Sequence, residues 1–326
     1  MRSRIARPSL LLAALALASL SQVAAAQADF PSRPIRVMVG FAPGGSTDVL
    51  ARALGQESRK SLGQELITVN KPGATGVISA NDVASASPDG YTIGVSPSTT
   101  FTLTHFVQDV RADLLESTSA LVSIGRQRIG VLVKGDSPQR TLKEFIEHAR
   151  RNPGRVAIGL PGAGTKVEMI MKAIGAQETL DMSFVPFQGD APVSAAILGG
   201  HVTAGAFSAG AWGAHVRAGT MRLLASMEEE RIDYAPEVPT LIELGYPYSG
   251  STIVYAYGPK GVPAAVARRL TDAFAEASRS ATYVEIVSKN GLDNRNPLAG
   301  EALERHLISD RANIGAMVDK LGLKKK

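Results

Sequence analysis

Cysteine is absent from all 326 residues of the chain. Without a thiol, the chain cannot form disulfide bonds, use a cysteine nucleophile or bind a metal through cysteine. It also cannot carry a lipid on a cysteine beside an export signal. These chemistries are therefore excluded before any motif is considered.

Complete motifs for nucleotide binding and nucleophilic catalysis are missing as well. A P-loop ends in Gly-Lys followed by Ser or Thr, whereas residues 164–166 read Gly-Thr-Lys. A nucleophile elbow reads G-x-S-x-G, but residues 206–210 begin with alanine. The histidines are scattered and form no H-E-x-x-H pair: His105, His148, His201, His215 and His306. We expect no metal, no cofactor and no enzyme, while an exported α/β hydrolase-like enzyme using Ser46 or Ser208 stays the alternative.

The most apolar run, residues 10–20, is too short to span a membrane. Three arginines precede this run and Ala24-Ala25-Ala26 follows it, which is the pattern of a cleaved secretory signal peptide. The arginines are not adjacent, which argues against twin-arginine export. We expect residues 1–26 to be a signal peptide that is cleaved near Ala26, and the mature protein to lie in the periplasm.

Neither positive nor negative charge is in large excess. The full chain carries a formal charge of +5, and loss of the signal peptide, with its three arginines and no acid, leaves +2. Such a charge does not indicate a nucleic-acid partner. About 300 mature residues exceed the usual size of a single core, so we expect two domains.

Strand-like and helix-like segments alternate along the chain, which indicates an α/β protein with mainly parallel strands. Apolar runs at residues 35–39, 91–95 and 156–159 are predicted strands. The end of the chain is predicted to be helical. A further helix is predicted to begin at residues 237–240 and to end near Gly245.

Residues 41–48, with the sequence FAPGGSTD, form a predicted turn between a strand and a helix. Pro43 fixes φ, while Gly44 and Gly45 allow backbone angles that other residues avoid. The start of the helix presents free N–H groups and the positive end of the helix dipole, which suit a carboxylate or phosphate. The alternative is a tight turn in which Ser46 caps the helix and Asp48 stabilises its first turn.

Residues 161–165, with the sequence PGAGT, repeat this design in the second half of the chain. A hydroxyl-rich stretch at residues 96–100 also follows a predicted strand, although its composition slightly favours turn and capping chemistry over ligand binding. Ligands of doubly wound sheets bind at the carboxyl ends of strands. The two Pro-Gly turns therefore suggest two lobes that face one ligand.

An ordered series of short motifs runs along essentially the whole mature chain. They are FPSRPIRV at 30–37, FAPGGSTD at 41–48, NKPGA at 70–74, SPDGYT at 87–92, NPG at 152–154, PGAGT at 161–165, VPFQGDAP at 185–192, LGG at 198–200, and PEVPT at 236–240 with LG at 244–245. Together they resemble the Bug-type receptors, the solute-binding proteins of tripartite tricarboxylate transporters.

The resemblance implies a periplasmic-binding-protein (type II) fold of two α/β lobes, each a mainly parallel sheet flanked by helices. Lobe 1 would comprise residues 27–126 and 227–326, and lobe 2 residues 127–226, with crossover strands near 126–128 and 225–229. It further implies a monomeric receptor that captures a small carboxylate, such as an organic, amino or aromatic acid, and delivers it to membrane subunits of the transporter. A receptor that feeds a two-component sensor remains an alternative.

The residues implied to bind this ligand lie at the strand ends of both lobes, where backbone amides, hydroxyls and ordered waters would hold a carboxylate. In lobe 1 they are Phe41, Ala42, Pro43, Gly44, Gly45, Ser46, Thr47, Asp48, Ser96, Ser98 and Thr99. In lobe 2 they are Gly162, Gly164, Thr165, Gly189, Asp190, Ala191 and Ser208.

The chain departs from the family pattern at three of these positions or beside them. Glu168 replaces a frequent histidine, Ser208 replaces a frequent aspartate, and Asp190 stands where a small uncharged residue is usual. We interpret Asp190 as a helix N-cap. The alternative is that Asp190 faces the ligand and binds an ammonium or amide group beside its carboxylate, unless Lys166 pairs with Asp190 or Glu168.

Overall fold

The computed structural model describes residues 30–110, 112–295 and 297–323. The predicted signal peptide, residues 1–26, and the lysine run at 324–326 lie outside the described residues. Within them, the chain forms two five-stranded mixed sheets that are flanked by helices. This is the two-lobe α/β architecture that the sequence predicts.

The first sheet has the strand order β2-β1-β3-β10-β4. Its strands are β1 (Ile35–Val39), β2 (Leu66–Asn70), β3 (Thr92–Pro97), β4 (Thr118–Gln127) and β10 (Thr252–Pro259). The strands β2, β1 and β3 are parallel, whereas β10 runs antiparallel to both β3 and β4. We call this sheet with its helices lobe 1.

The second sheet repeats this layout with the strand order β7-β6-β8-β5-β9. Its strands are β5 (Ile129–Lys134), β6 (Val156–Leu160), β7 (Met182–Pro186), β8 (Ala204–Ser208) and β9 (Met221–Ser226). Three parallel strands are again followed by one strand, β5, that is antiparallel to both of its neighbours. We call this sheet with its helices lobe 2.

Twelve α-helices lie among the described residues, and four of them, α6 to α9, belong to lobe 2. In chain order the helices are α1 (Ser46–Leu62), α2 (Val77–Ala84), α3 (Thr99–Thr102), α4 (Thr104–Val107), α5 (Leu114–Ser117), α6 (Leu142–Arg151), α7 (Lys166–Gln177), α8 (Asp190–Leu198), α9 (Gly213–Arg217), α10 (Ala264–Arg279), α11 (Ala281–Lys289) and α12 (Gly300–Lys320). None of the helices in the described part is both long and apolar enough to cross a membrane.

Each sheet buries apolar side chains under its helices. In lobe 2, α6 places Leu142, Phe145, Ile146 and Ala149 in the core, at the i, i+3, i+4 and i+7 spacing of one helix face. In lobe 1, alternate side chains of β1 are completely buried against α1. The sheets are therefore rigid supports for the loops that follow their strands.

The chain crosses between the two sheets twice. It leaves the first sheet at the end of β4 and enters the second at β5, with only Arg128 between them. It returns through residues 227–251, which connect β9 to β10. The described residues of that return segment contain no helix, so the helix predicted from residues 237–240 to Gly245 is wrong. Thr240 instead bridges to Ser226 of β9, and the reciprocal bonds between Thr240 and Glu243 close a single turn.

Candidate binding site between the lobes

The loop between β1 and α1 carries the FAPGGSTD sequence and forms the first wall of the site. Gly44 has a φ of +81°, which residues with a side chain rarely adopt. Gly45 has a φ of −83° and is the N-cap of α1, so the helix begins at Ser46. Gly45 therefore does not use the backbone angles that only glycine permits, and the alternative in which Ser46 is the N-cap is wrong.

Asp48 holds this turn in shape. Its carboxylate accepts hydrogen bonds from Gly44 N at 2.9 Å, from Asn70 Nδ2 at 2.9 Å and from Arg52 Nε at 2.9 Å. Burial disfavours the charged form of Asp48, but the bond from Arg52, together with those from Gly44 and Asn70, outweighs it and lowers the pKa of Asp48. Asp48 is thus an ionised support inside lobe 1.

Asp190 lies on the opposite wall, at the first residue of α8. Gly189 is the N-cap of that helix, so the interpretation of Asp190 as an N-cap is wrong. Its carboxylate reaches across to lobe 1 instead: Oδ2 accepts from Ser46 N at 3.2 Å, while Oδ1 accepts from Ser208 N at 3.2 Å. Asp190 therefore joins the first turn of α1 to the end of β8.

This contact places a carboxylate at the N-terminus of α1. The Ser46 N–H has no partner within its own helix, and the helix dipole is positive there. Burial raises the pKa of Asp190, while the backbone hydrogen bonds from Ser208 and Ser46 favour its charged form and act in the opposite direction. The sequence predicts that the backbone amides of this turn bind the carboxylate of a ligand. In the described conformation, the Ser46 amide instead donates to the carboxylate of Asp190.

Neighbouring groups extend the contact between the lobes. Ala42 N donates to Gln188 O at 2.8 Å. The Ser46 hydroxyl is hydrogen-bonded to the Ser208 hydroxyl and accepts from Gly210 N at 3.1 Å. The strand-end loops of both lobes therefore meet directly, and the described conformation is closed.

Thr75 makes a second bridge between the lobes, on the loop after β2. Its hydroxyl donates to Ala163 O in the PGAGT turn at 2.6 Å, and Gln108 Nε2 donates to the same oxygen at 3.0 Å. Thr75 has a φ of +55°, which is rare for a β-branched residue. Such strain is typical of functional loops, where surrounding contacts hold an unfavourable backbone in place.

The PGAGT turn opens α7 as the sequence predicts. Thr165 is the N-cap, and its hydroxyl accepts from Glu168 N at 3.2 Å. The Glu168 carboxylate accepts from Gly164 N at 2.6 Å and pairs with Lys172. Lys166 donates to Ser251 O at 3.2 Å and forms no ion pair with Asp190 or Glu168 within the described part of the chain.

A cavity of about 40 Å³ lies between the two lobes. At roughly 10–15 Å³ for each water, it holds only a few water molecules. The predicted site residues that line it come from both lobes and are Phe41, Thr47, Thr99, Thr165, Asp190 and Ser208. An acid of several carbon atoms therefore needs the lobes to stand further apart than they do here.

The remaining predicted residues lie around this cavity or away from it. Ser96 donates to Thr100, and Ser98 bonds to Thr252 and Asp310, so both serines are engaged inside lobe 1. The others form the loops that carry the lining residues or meet across the lobes: Ala42, Pro43, Gly44, Gly45, Ser46, Asp48, Gly162, Gly164, Gly189 and Ala191.

Sequence reasoning missed several side chains that line the cavity: Thr75, Gln127, Lys166, Phe207 and Thr252. Gln127 lies where the chain crosses between sheets, and Lys166 directly follows the predicted Thr165. Lys166 and Phe207, which adjoin the predicted Thr165 and Ser208, could have been found by extending the predicted walls by one residue. Thr75 and Thr252 carry no such signal, because their placement depends on long-range packing.

The two serines of the hydrolase alternative both contact the Asp190 carboxylate, which accepts a hydrogen bond from the backbone N–H of each. Ser46 and Ser208 bond to each other, and the hydrogen bonds of the described residues place no histidine beside either hydroxyl. The described residues also contain no group of three or more His, Cys, Asp or Glu that could hold a metal ion.

Comparisons with known proteins agree with this architecture. The family described as "Tripartite tricarboxylate transporter family receptor" matches residues 50–323. A Cupriavidus necator protein, described as a UPF0065 protein in the gbd 5' region, is 34% identical over 329 residues, which is 99% of this chain and 98% of the relative. Protein BugT of Bordetella pertussis is 30% identical over 265 residues, which is 80% of this chain and 81% of BugT.

Solved structures share the two-lobe fold. The periplasmic binding protein BugD has a TM-score of 0.86 at 24% identity, over 91% of this chain and 100% of its own. An R. palustris protein solved with adipate has a TM-score of 0.84 at 23% identity, over 90% and 99%. MatC of Rhodopseudomonas palustris, solved with malate, has a TM-score of 0.77 at 24% identity, over 90% and 98%. At these identities the likeness shows the fold alone.

Proposed function

The chain belongs to the tripartite tricarboxylate transporter receptor family, the Bug-type solute-binding receptors, and we propose that it captures a small carboxylate between its two lobes. The two lobes close on the acid and deliver it to the membrane subunits of the transporter. A ligand that bridges both lobes stabilises the closed state, because it binds that state more tightly than the open one.

One observation carries this proposal: strand-end loops from both sheets meet around a shared cavity. Phe41, Thr47 and Thr99 line it from lobe 1, and Thr165 and Ser208 line it from lobe 2. Hydroxyl groups and backbone amides on two hinged bodies can hold a carboxylate directly or through water. The adipate and malate bound by two proteins of the same fold support a small organic acid as the ligand.

The other parts of the proposal concern the mature protein. Residues 1–26 are removed on export, and the receptor acts in the periplasm as a monomer. Residues 27–126 and 227–326 form lobe 1 and residues 127–226 form lobe 2. The crossings at Arg128 and at residues 227–251 support this division, because no other described segment connects the two sheets.

A thermal-shift screen of the purified mature protein tests this function. The panel contains acetate, benzoate, malate, adipate and L-glutamate, each at millimolar concentration. An acid present at about one hundred times its Kd stabilises the folded protein by about 2.7 kcal/mol, which raises the melting temperature by several degrees. If no acid in a broadened panel of mono-, di- and tricarboxylates stabilises the protein, carboxylate capture is wrong.

Two further measurements separate the alternatives. Steady hydrolysis of model esters by the purified protein, lost on the Ser46→Ala or Ser208→Ala change, would favour the hydrolase. Uptake of the stabilising acid by cells with and without the receptor separates transport from sensing. Transport predicts that deletion of the receptor abolishes high-affinity uptake, whereas a sensor would change gene expression and leave uptake intact when expression is forced.

A further inference from the structure

One cation lines the cavity between the lobes. Lys166 is the first residue of α7, and Nζ donates to Ser251 O at 3.2 Å. Within residues 30–110, 112–295 and 297–323, no Asp or Glu oxygen lies within 4.0 Å of Nζ. A partly buried ammonium that has only a carbonyl partner is incompletely compensated, because burial removes its hydration.

Two of the three acids that act on Lys166 from neighbouring elements are already hydrogen-bonded to other groups. Asp310 of α12 accepts from Ser98 and Thr102, and Glu228 of the return segment accepts from Ile129 N. Burial lowers the pKa of Lys166, while Asp310, Glu228 and Glu229 raise it and Arg126 lowers it. These acids stabilise the ammonium only from a distance, so its donors remain suited to an incoming anion.

The position of Lys166 gives a ligand two routes to the ammonium. The side chain lines the cavity between the lobes, and it also lines a groove of about 810 Å³ beside α12. Ser98 and Thr252 are hydrogen-bonded to each other and line the groove beside it. The ammonium is therefore part of the wall that the cavity and the groove share.

An acidic side chain of the protein also lines the cavity and forms no ion pair with Lys166 within the described residues. This side chain is Asp190, and its carboxyl group accepts a hydrogen bond from the N–H of Ser46 at the start of α1. A second carboxylate placed there would meet an acid rather than free amide donors. Electrostatic complementarity therefore directs the anionic group of a ligand away from Asp190 and towards Lys166.

We propose that Lys166 is the specificity-determining cation of this receptor and pairs with a carboxylate of the bound acid. This inference rests on the proposed function and assigns the charge contact of that same site. A lysine contributes a point charge with three donors, so it can pair with the acid while it keeps its bond to Ser251 O. Neutral analogues of the acid are then poor ligands.

Titration calorimetry on Lys166 variants tests the inference with malate, adipate and L-glutamate as probes. Loss of a charged hydrogen bond predicts that Lys166→Met binds whichever of these acids stabilises the wild-type protein about ten- to hundredfold more weakly. Lys166→Arg should recover most of the affinity, because it keeps the charge. The matched control is Lys172→Met on the same helix, whose exposed side chain pairs with Glu168 and lies over the ring of Phe184. That control should bind like the wild type.

A second readout on the wild-type protein does not depend on the variants folding. Reductive methylation followed by peptide mass spectrometry reports the reactivity of each lysine with and without the same acid. Protection of Lys166, but not of Lys172, supports the inference. Equal affinity of Lys166→Met and the wild type, or an unprotected Lys166, overturns the inference and leaves the proposed function intact. If the wild-type protein binds no acid, the proposed function falls and the inference falls with it.

Discussion

Replacing Asp190 with alanine should open the empty receptor. In the closed conformation the Asp190 carboxylate is the acceptor for Ser46 N in lobe 1 and for Ser208 N in lobe 2. In the alanine variant, both N–H groups lack this acceptor when the lobes are closed. In an open conformation water can pair with them, so the penalty falls on the closed state alone.

The size of the effect follows from these two groups. A buried donor without a partner costs about 1–3 kcal/mol, and about 1.4 kcal/mol corresponds to a tenfold change in an equilibrium. Removal of the buried carboxylate also removes its desolvation cost, which offsets part of this penalty. We therefore expect the open-to-closed ratio to rise about tenfold rather than by the several hundredfold that two uncompensated donors would give.

Because the chain has no cysteine, the ratio of open to closed molecules can be measured with site-specific labels. Two introduced cysteines, at the exposed Ile67 of β2 and the exposed Lys143 of α6, are the only labelling sites in the chain. Single-molecule energy transfer between them reports the distance between the lobes without any acid present. Asp190→Ala should enrich the long-distance population, whereas the control Asp136→Ala, whose side chain is exposed, should not. Identical distributions for Asp190→Ala and the wild type would refute the bridging role of Asp190.

Three further predictions concern the same loops. Burial raises the pKa of Asp190, so the folded protein binds a proton on this carboxyl group more tightly than the unfolded chain does. The free energy of unfolding should therefore fall as the pH rises from the usual aspartate pKa towards the raised value, and Asp190→Ala should lack this component in pH-dependent melting. Gly189→Ala should weaken acid binding at least tenfold by calorimetry, since Gly189 has a φ of +125° and an added Cβ would lie 3.2 Å from Ala42 N. The control Gly200→Ala has a φ of +71°, but an added Cβ there would meet no atom within 4 Å, so it should cost only about 1 kcal/mol of stability and leave binding unchanged. Gly45→Val should fold, because a φ of −83° suits valine. It should lose most of its acid affinity, because the added Cβ would already be in contact with the Asp190 carboxylate at 3.5 Å and the two γ-methyl groups would crowd the space beyond it. Retained affinity would mean that this turn is only scaffolding.

Local patterns predicted the two strand-to-helix turns correctly. The Pro-Gly turns after β1 and β6 and the helices that follow them depend on residues close together in sequence, so composition and periodicity reveal them. Thr165 is the N-cap of α7, and Asp48 supports the first turn of α1. The same reasoning failed at residues 237–245, where the bridge between Thr240 and Ser226 holds the segment as a turn.

The sequence could not reveal which partners these walls meet. Asp190 and Ser46 are 144 residues apart, and their contact depends on how two lobes close against each other. Residues close in sequence therefore indicate only that Asp190 caps its own helix, and do not reveal its contact with lobe 1. The sequence likewise offers Asp190 or Glu168 as a partner for Lys166, whereas Nζ bonds to Ser251 O in the return segment. Contacts between lobes follow from tertiary geometry, which short motifs do not encode.

Closure on a carboxylate is the central claim, and the distance between positions 67 and 143 during an acid titration tests it most directly. The probe is the acid of the panel that raises the melting temperature most. We expect this acid to convert a mixture of open and closed molecules into one narrow population, in which the lobes stand slightly further apart than in the empty closed conformation, with a midpoint that equals the calorimetric Kd. An acid that binds with full calorimetric heat while the distance distribution stays unchanged would contradict it.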